Sequence, residues 1–192
     1  LNKPPADIRD VWCKKGRLWL ETITSLPQHT LWVFKELLNS IAATEKRILS
    51  CTERLKEFGK QDSLIQEFMK EPGIGIVTST MLRAEIGSFS RFHKGKQLAR
   101  FCGTTPRNAS SGTKQADAGL IKAGNPLLRM VLIQVGHNLC RFHPVYRPHA
   151  QRLIGQGKKV CVVVCAVVNR WLRKLFYTMR DIESHPTLAL AA

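Results

Sequence analysis

The sequence predicts a mainly α-helical protein: a long heptad helix, then a helical domain with a helix-hairpin-helix-like turn and one long basic loop. Three observations carry that expectation. Phe34, Leu37, Ile41, Thr44, Ile48, Cys51, Leu55 and Phe58 recur at alternating spacings of three and four, the seam of a long helix. Further on, Val163, Val164, Val167, Val168, Trp171, Leu172, Leu175 and Phe176 mark one buried helical face, in a run longer than strands usually reach. Between these two stretches, Pro72-Gly73, Gly103, Pro126 and Gly155-Gln156-Gly157 punctuate the chain at the ends of short apolar segments.

In order along the chain, 7–24 reads as a first helix, with Pro4-Pro5 before it and Leu26-Pro27 after it. The heptad segment 34–58 carries Lys35, Glu36, Glu45, Lys46, Arg47 and Glu53 on its other faces. It is read either as one helix of a bundle or as a dimerising coiled coil. Gly59 is expected to end it. A short amphipathic helix then places Leu64, Ile65, Phe68 and Met69 on one side, and Glu71-Pro72-Gly73-Ile74-Gly75 makes a turn. Helices are expected over 77–86 and 93–101. Gly, Thr, Pro, Asn, Ser, Lys and Asp dominate 103–125, so this stretch reads as a long irregular loop. Asn125 is an expected N-cap and Pro126 a first-turn proline for a helix reaching about 142. Another helix follows over 144–154. Gly155-Gln156-Gly157 breaks the pattern, and 158–180 forms the last long helix. The resulting division is a helical connector (1–70), a C-terminal domain (71–182) and a tail (183–192).

Charge is distributed unevenly. Of the formal +16 on 192 residues, the segment 83–180 holds 18 Lys and Arg against two acids, Glu85 and Asp117. Residues 1–82 hold 12 basic and 10 acidic side chains. Such a segment repels itself unless it meets a polyanion, and nucleic acid gains affinity for each phosphate neutralised. The basic residues alternate with apolar ones, as in Arg170-Trp171-Leu172-Arg173-Lys174-Leu175-Phe176, so a folded basic surface is expected rather than a tail. The longest apolar run, 160–168, is too short to span a bilayer. The six cysteines sit at apolar helical positions without a secretory signal ahead of them, so buried free thiols and a cytoplasmic setting are expected.

Several residues are candidates for function. Gly73 and Gly75 would let backbone approach a phosphate at the start of the following helix; a plain structural turn is the other reading. Ser110-Ser111-Gly112 lies mid-loop among Arg107, Lys114 and Lys122. A serine attacking phosphorus needs exposure and nearby cations, although Ser-Ser-Gly is also common loop composition. Asn125 and Arg129, one turn apart, would present an amide and a guanidinium to one phosphate, or serve as cap and surface charge. His137-x-x-Cys140-x-x-His143 spaces possible ligands without an evident fourth. Glu85 and Asp117, as the only carboxylates of the basic segment, do not suffice for two-metal chemistry.

Taken together, Glu71-Pro-Gly-Ile-Gly, Ser90-Arg-Phe, the run from Gln97 through Phe101-Cys-Gly-Thr-Thr-Pro-Arg107, Ser110-Ser-Gly, Ile121-Lys-Ala-Gly-Asn-Pro-Leu-Leu-Arg129 and Gly157-Lys resemble the C-terminal transposase domain of the IS110 (IS1111) family of bacterial insertion sequences. The resemblance covers about 71–180, and the heptad segment matches the family's coiled-coil connector in kind. Thr104 stands where the family commonly has leucine. The resemblance implies DNA as partner and a serine nucleophile, Ser111 with Ser110 as the adjacent alternative, for strand cleavage and rejoining. It carries Lys114, Lys122, Asn125 and Arg129 over as DNA contacts. It also implies a bridging guide RNA, a homo-oligomer in the bacterial cytoplasm near the nucleoid, and magnesium held only by an N-terminal RuvC-like domain. That domain is not found in these 192 residues, so a truncated or split gene product that binds DNA without cutting it alone is expected. A non-catalytic DNA- or RNA-binding fragment is the alternative.

Overall fold

Eight helices and one two-stranded ribbon make up the described residues of the computed structural model, which are 3–108, 117–121 and 123–185. Ser110, Ser111, Lys114 and Lys122 lie outside the described residues. The class is mainly α, as the periodicities predict. The chain divides into two compact units, Leu1–Glu53 and Arg54–Ala192.

In the first unit, α1 spans Lys14–Glu21, shorter than the expected 7–24. The reason is local competition for backbone N–H groups. The Asp10 carboxylate accepts from Trp12 N at 2.9 Å, and the Cys13 thiol caps Gly16 N, so the residues before Lys14 are held in turns. Helix α2 is one continuous stretch, Gln28–Lys60, and contains the whole seam. The Arg17 guanidinium grips both carboxylate oxygens of Glu45 and ties α1 to α2. Little of this unit is buried: Leu37 and Ile48 of the seam stay 59% and 58% exposed.

Gly59 does not stop α2, which runs on to Lys60. Its role is packing, since a Cβ there would sit 2.6 Å from the Ile76 side chain and 3.1 Å from that of Ile65. Helix α3, Ser63–Met69, begins where Asp62 accepts from Leu64 N and Ile65 N at 2.9 and 3.2 Å. The same carboxylate pairs with Arg83 at 2.9 Å and so fastens α3 to α4, Ile76–Ile86. Helix α5 is Gly95–Phe101.

The second unit is built around its last helix. Helices α6, Pro126–Phe142, and α7, Tyr146–Gly155, pack with α3 and α5 on α8, Val160–Ser184. All eight apolar residues read as the buried side of α8 are buried, with Met179 added. All but Val164 meet Leu128, Leu132, Val135 and Leu139 of α6, Leu98 of α5, and Phe68 and Phe89 in one core. At the α6–α8 crossing, a Cβ on Gly136 would lie 2.4 Å from Val168 and 2.7 Å from Val164, so glycine sets how closely the helices approach.

The stretch expected to be irregular contains an antiparallel ribbon, β1 Pro106–Asn108 with β2 Asp117–Leu120. Pro106 faces Leu120 and Asn108 faces Asp117, with a register irregularity between them. Strands this short, made of weak strand formers, leave no period to read.

Candidate nucleic-acid interface

The ribbon stands on a clamp assembled from the Gly103 and Gly124-Asn125-Pro126-Leu-Leu-Arg129 segments. Gly103 has φ +68°, in the left-handed region that favours glycine. A Cβ on Gly124 would fall 2.3 Å from the Gly103 Cα, so the two limbs cross backbone against backbone. Arg129 locks the crossing. Its Nε donates to Gly103 O at 3.1 Å, and its Nη2 to Ile121 O at 2.8 Å and Gly124 O at 3.4 Å. Ile121 N donates to Thr105 O at 3.0 Å, and Asn125 N to Phe101 O at 3.3 Å.

Asn125 caps α6 as expected: its Oδ1 accepts from Leu127 N at 2.9 Å and Leu128 N at 3.3 Å. Its Nδ2 donates to Glu85 at 2.6 Å. Both side-chain functions of Asn125, and three donor contacts of Arg129, are therefore engaged within the protein. Thr104 is buried, and the reason a hydroxyl is tolerated there is visible. Its Oγ1 donates to Ala99 O at 3.0 Å, and its carbonyl accepts from Asn169 Nδ2 at 3.3 Å.

The base of the ribbon borders a groove of about 1100 Å³. Pro106, Gly119 and Leu120 contribute one part of its lining; α8 contributes Cys161, Val162, Cys165, Ala166, Asn169, Arg170, Arg173, Lys174 and Tyr177; Lys94 and Lys96 come from the start of α5. Five cations line it and, among the described residues, no carboxylate does. Helix α8 thus presents apolar side chains to the core on one face and a mixed cationic and apolar surface to the groove on the other. Burial pushes the Cys165 thiol upward, with the neighbouring Cys161 adding to it. Burial pushes Cys102, beneath the clamp, up to about 12, too high for thiolate chemistry near neutrality. All six cysteines are free, but Cys13, Cys51 and Cys161 are exposed rather than buried. Apolar periodicity marks a helix face without telling whether anything covers it.

The other expected contacts lie elsewhere. Gly73 has φ +82°, and Asn138 Nδ2 donates to its carbonyl at 3.1 Å. Gly75 opens α4 without a side-chain cap, and nothing lies within 4 Å of where its Cβ would be. Glu71, beside this turn, meets His143 Nε2 at 3.3 Å. Asn138 sits nine residues beyond Arg129 on α6, about 14 Å along the axis, so turn and clamp occupy different stretches of that helix. Arg107 is exposed on β1, next to Pro106. Sequence reasoning did not single out Lys94, Lys96 or Tyr177 as site residues. The alternation of basic and apolar residues from Arg170 onward was the available signal.

Residues 65–151 match the family model described as "Transposase IS116/IS110/IS902 family". The match spans the turn, the ribbon, the clamp and α6. The chain contains a transposase domain of this family. The chain is 35% identical over 109 residues to the transposase for insertion sequence element IS1111A of Coxiella burnetii, covering 57% of this chain and 29% of that protein. It is 29% identical over 119 residues to a probable family 20 transposase of Pseudomonas aeruginosa, covering 59% and 35%. It is 26% identical over 174 residues to the pilin gene-inverting protein of Moraxella bovis, covering 86% and 45%. The chain with this transposase domain therefore spans less than half the length of these relatives. Among the described residues, no three His, Cys, Asp or Glu side chains gather as a metal site, and no helix is long and apolar enough to cross a membrane.

Proposed function

We propose that this chain acts in DNA strand cleavage and rejoining as the serine-bearing part of an IS110-type transposase. The observation that carries the reading is the placement of the ribbon. The segment containing Ser110 and Ser111 connects two paired strands whose base lines a groove with five cations and, among the described residues, no carboxylate. Those cations would hold phosphates and favour negative charge at a phosphorus under attack. The match to a family of insertion-sequence transposases, and to relatives named as transposases and as a gene-inverting protein, supports the same chemistry.

In this reading the Ser111 Oγ attacks phosphorus. A serine–phosphorus bond forms as the bond from phosphorus to one sugar oxygen breaks, and the serine proton ends on that departing oxygen. Attack by a second sugar hydroxyl reverses the steps and rejoins the strand. The described residues offer no cluster to hold magnesium, so metal assistance is assigned to a partner domain and no step here passes through it. A guide RNA and a homo-oligomer belong to the same proposal; the exposed apolar seam of α2 supports the second.

The test is covalent trapping on element-end DNA, with a metal-binding nuclease domain from a relative supplied separately with magnesium. An adduct lost in Ser111→Ala and kept in Ser110→Ala is expected. DNA binding without any adduct under all conditions would sink the catalytic part and leave a non-catalytic binding module.

A further inference from the structure

The groove along α8 differs from a surface built only for duplex phosphates. Val162 is 48% and Tyr177 53% exposed, and Pro106, Leu120 and Ala166 extend the apolar lining between them and the ribbon. A duplex keeps its base faces stacked inside and offers a protein mainly phosphates and base edges, which gain less from apolar side chains than bare base faces do. An unpaired strand exposes base faces that stack on aromatic and apolar surfaces while its phosphates seek cations. We propose that this groove holds a single strand of DNA, its bases against the apolar lining and its phosphates toward Lys94, Lys96, Arg170, Arg173 and Lys174, so that the strand reaching the serine ribbon is locally unpaired.

The occupant is a deoxy strand because the cleavage and rejoining proposed above act on DNA. Tyr177 is the stacking platform. It stands one turn beyond Arg173 and Lys174 on the same helix face, so a base on its ring leaves the adjoining phosphates near both cations. The proposal rests on the nucleic-acid reading above and adds which form of nucleic acid the site takes.

The test is fluorescence anisotropy on the full chain at one near-physiological salt concentration. The probes are labelled oligothymidine, the same strand paired with oligoadenosine, and oligouridine. The free strand should bind about tenfold or more tightly than the duplex. Tyr177→Ala should weaken it about tenfold and leave duplex binding within about twofold, while Tyr177→Phe retains it. Val162→Glu, at an exposed position, should also lose the strand, and unchanged thermal unfolding of each variant would show that the fold survives. Duplex bound as tightly as the strand, or Tyr177→Ala without effect, overturns the proposal while leaving the transposase reading intact. Tighter binding of oligouridine overturns the choice of DNA. Absence of binding to all three overturns the transposase reading as well.

Discussion

Arg129 and Asn125 show how a motif read as ligand-facing becomes structural once its partners are visible. Arg129 spends its guanidinium on the carbonyls of Gly103, Ile121 and Gly124. Removing it leaves those acceptors without a charged donor, a loss of about 2–3 kcal/mol by the usual worth of such bonds. Arg129→Gln should therefore lower the urea midpoint by a corresponding amount. It should also open the backbone at 103–106 and 123–126 to protease well below global unfolding; wild-type resistance there in the variant would show the clamp to be idle. Asn125→Ala should cost about 1 kcal/mol through the lost cap, read in the same urea series. The cap was legible, because Asn-Pro before an apolar period is a local pattern. The clamp was not, since it joins residues 26 apart across a glycine crossing. Thiols give an independent check of burial. Cys13, Cys51 and Cys161 should alkylate in the native protein, and Cys102, raised to about 12 by burial, only after unfolding. Of these three exposed thiols, bound oligonucleotide should slow only Cys161, because that thiol lines the groove.

At the scale of elements, α8 performs two tasks with its two faces, and substitutions should separate them. Trp171 is 1% exposed in the core, so Trp171→Ala should destabilise by about 3–5 kcal/mol through lost burial and a cavity. Two positions on, Arg173 is exposed on the groove side. Arg173→Ala should leave stability within about 0.5 kcal/mol yet weaken nucleic-acid binding. It should also flatten the dependence of log affinity on log salt by about 0.7, the worth of one single-strand phosphate contact. Equal losses of stability in the two variants would contradict this division of faces. The core face was readable from eight apolar positions at helical spacing. The groove face was not, because exposed cations on a helix look the same whether they border a concavity or open solvent. The ribbon escaped for a different reason: its pairing is fixed by the clamp beneath it and not by any alternation along Pro106–Asn108 or Asp117–Leu120.

Across the whole molecule, charge and packing follow the chain in the same order. The first unit balances its charges and buries little, while the second carries nearly all the surplus cations and one continuous core. The charge asymmetry was evident from the sequence, but the contrast in burial was not, because a heptad seam reads alike whether it is covered or bare. Amide exchange should expose that contrast. Residues of α2 within the first unit depend on helical hydrogen bonds with few buried apolar neighbours, so opening costs little beyond fraying. In α8, nine buried side chains from Val163 to Met179 tie local opening to loss of the shared core. The amides of 30–50 should therefore exchange through local opening at low denaturant, with a free energy nearly independent of urea. Those of 163–179 should exchange only with global unfolding and show the full urea slope. Raising protein concentration distinguishes what protects α2. If its seam pairs with a second copy, protection of 30–50 should rise with concentration by mass action, whereas protection of 163–179 rises only as far as association stabilises the whole fold. Protection of 30–50 that is high at the lowest concentration and urea-dependent from the start would mean that α2 shares the global unit, and that the exposed seam does not describe the chain in solution.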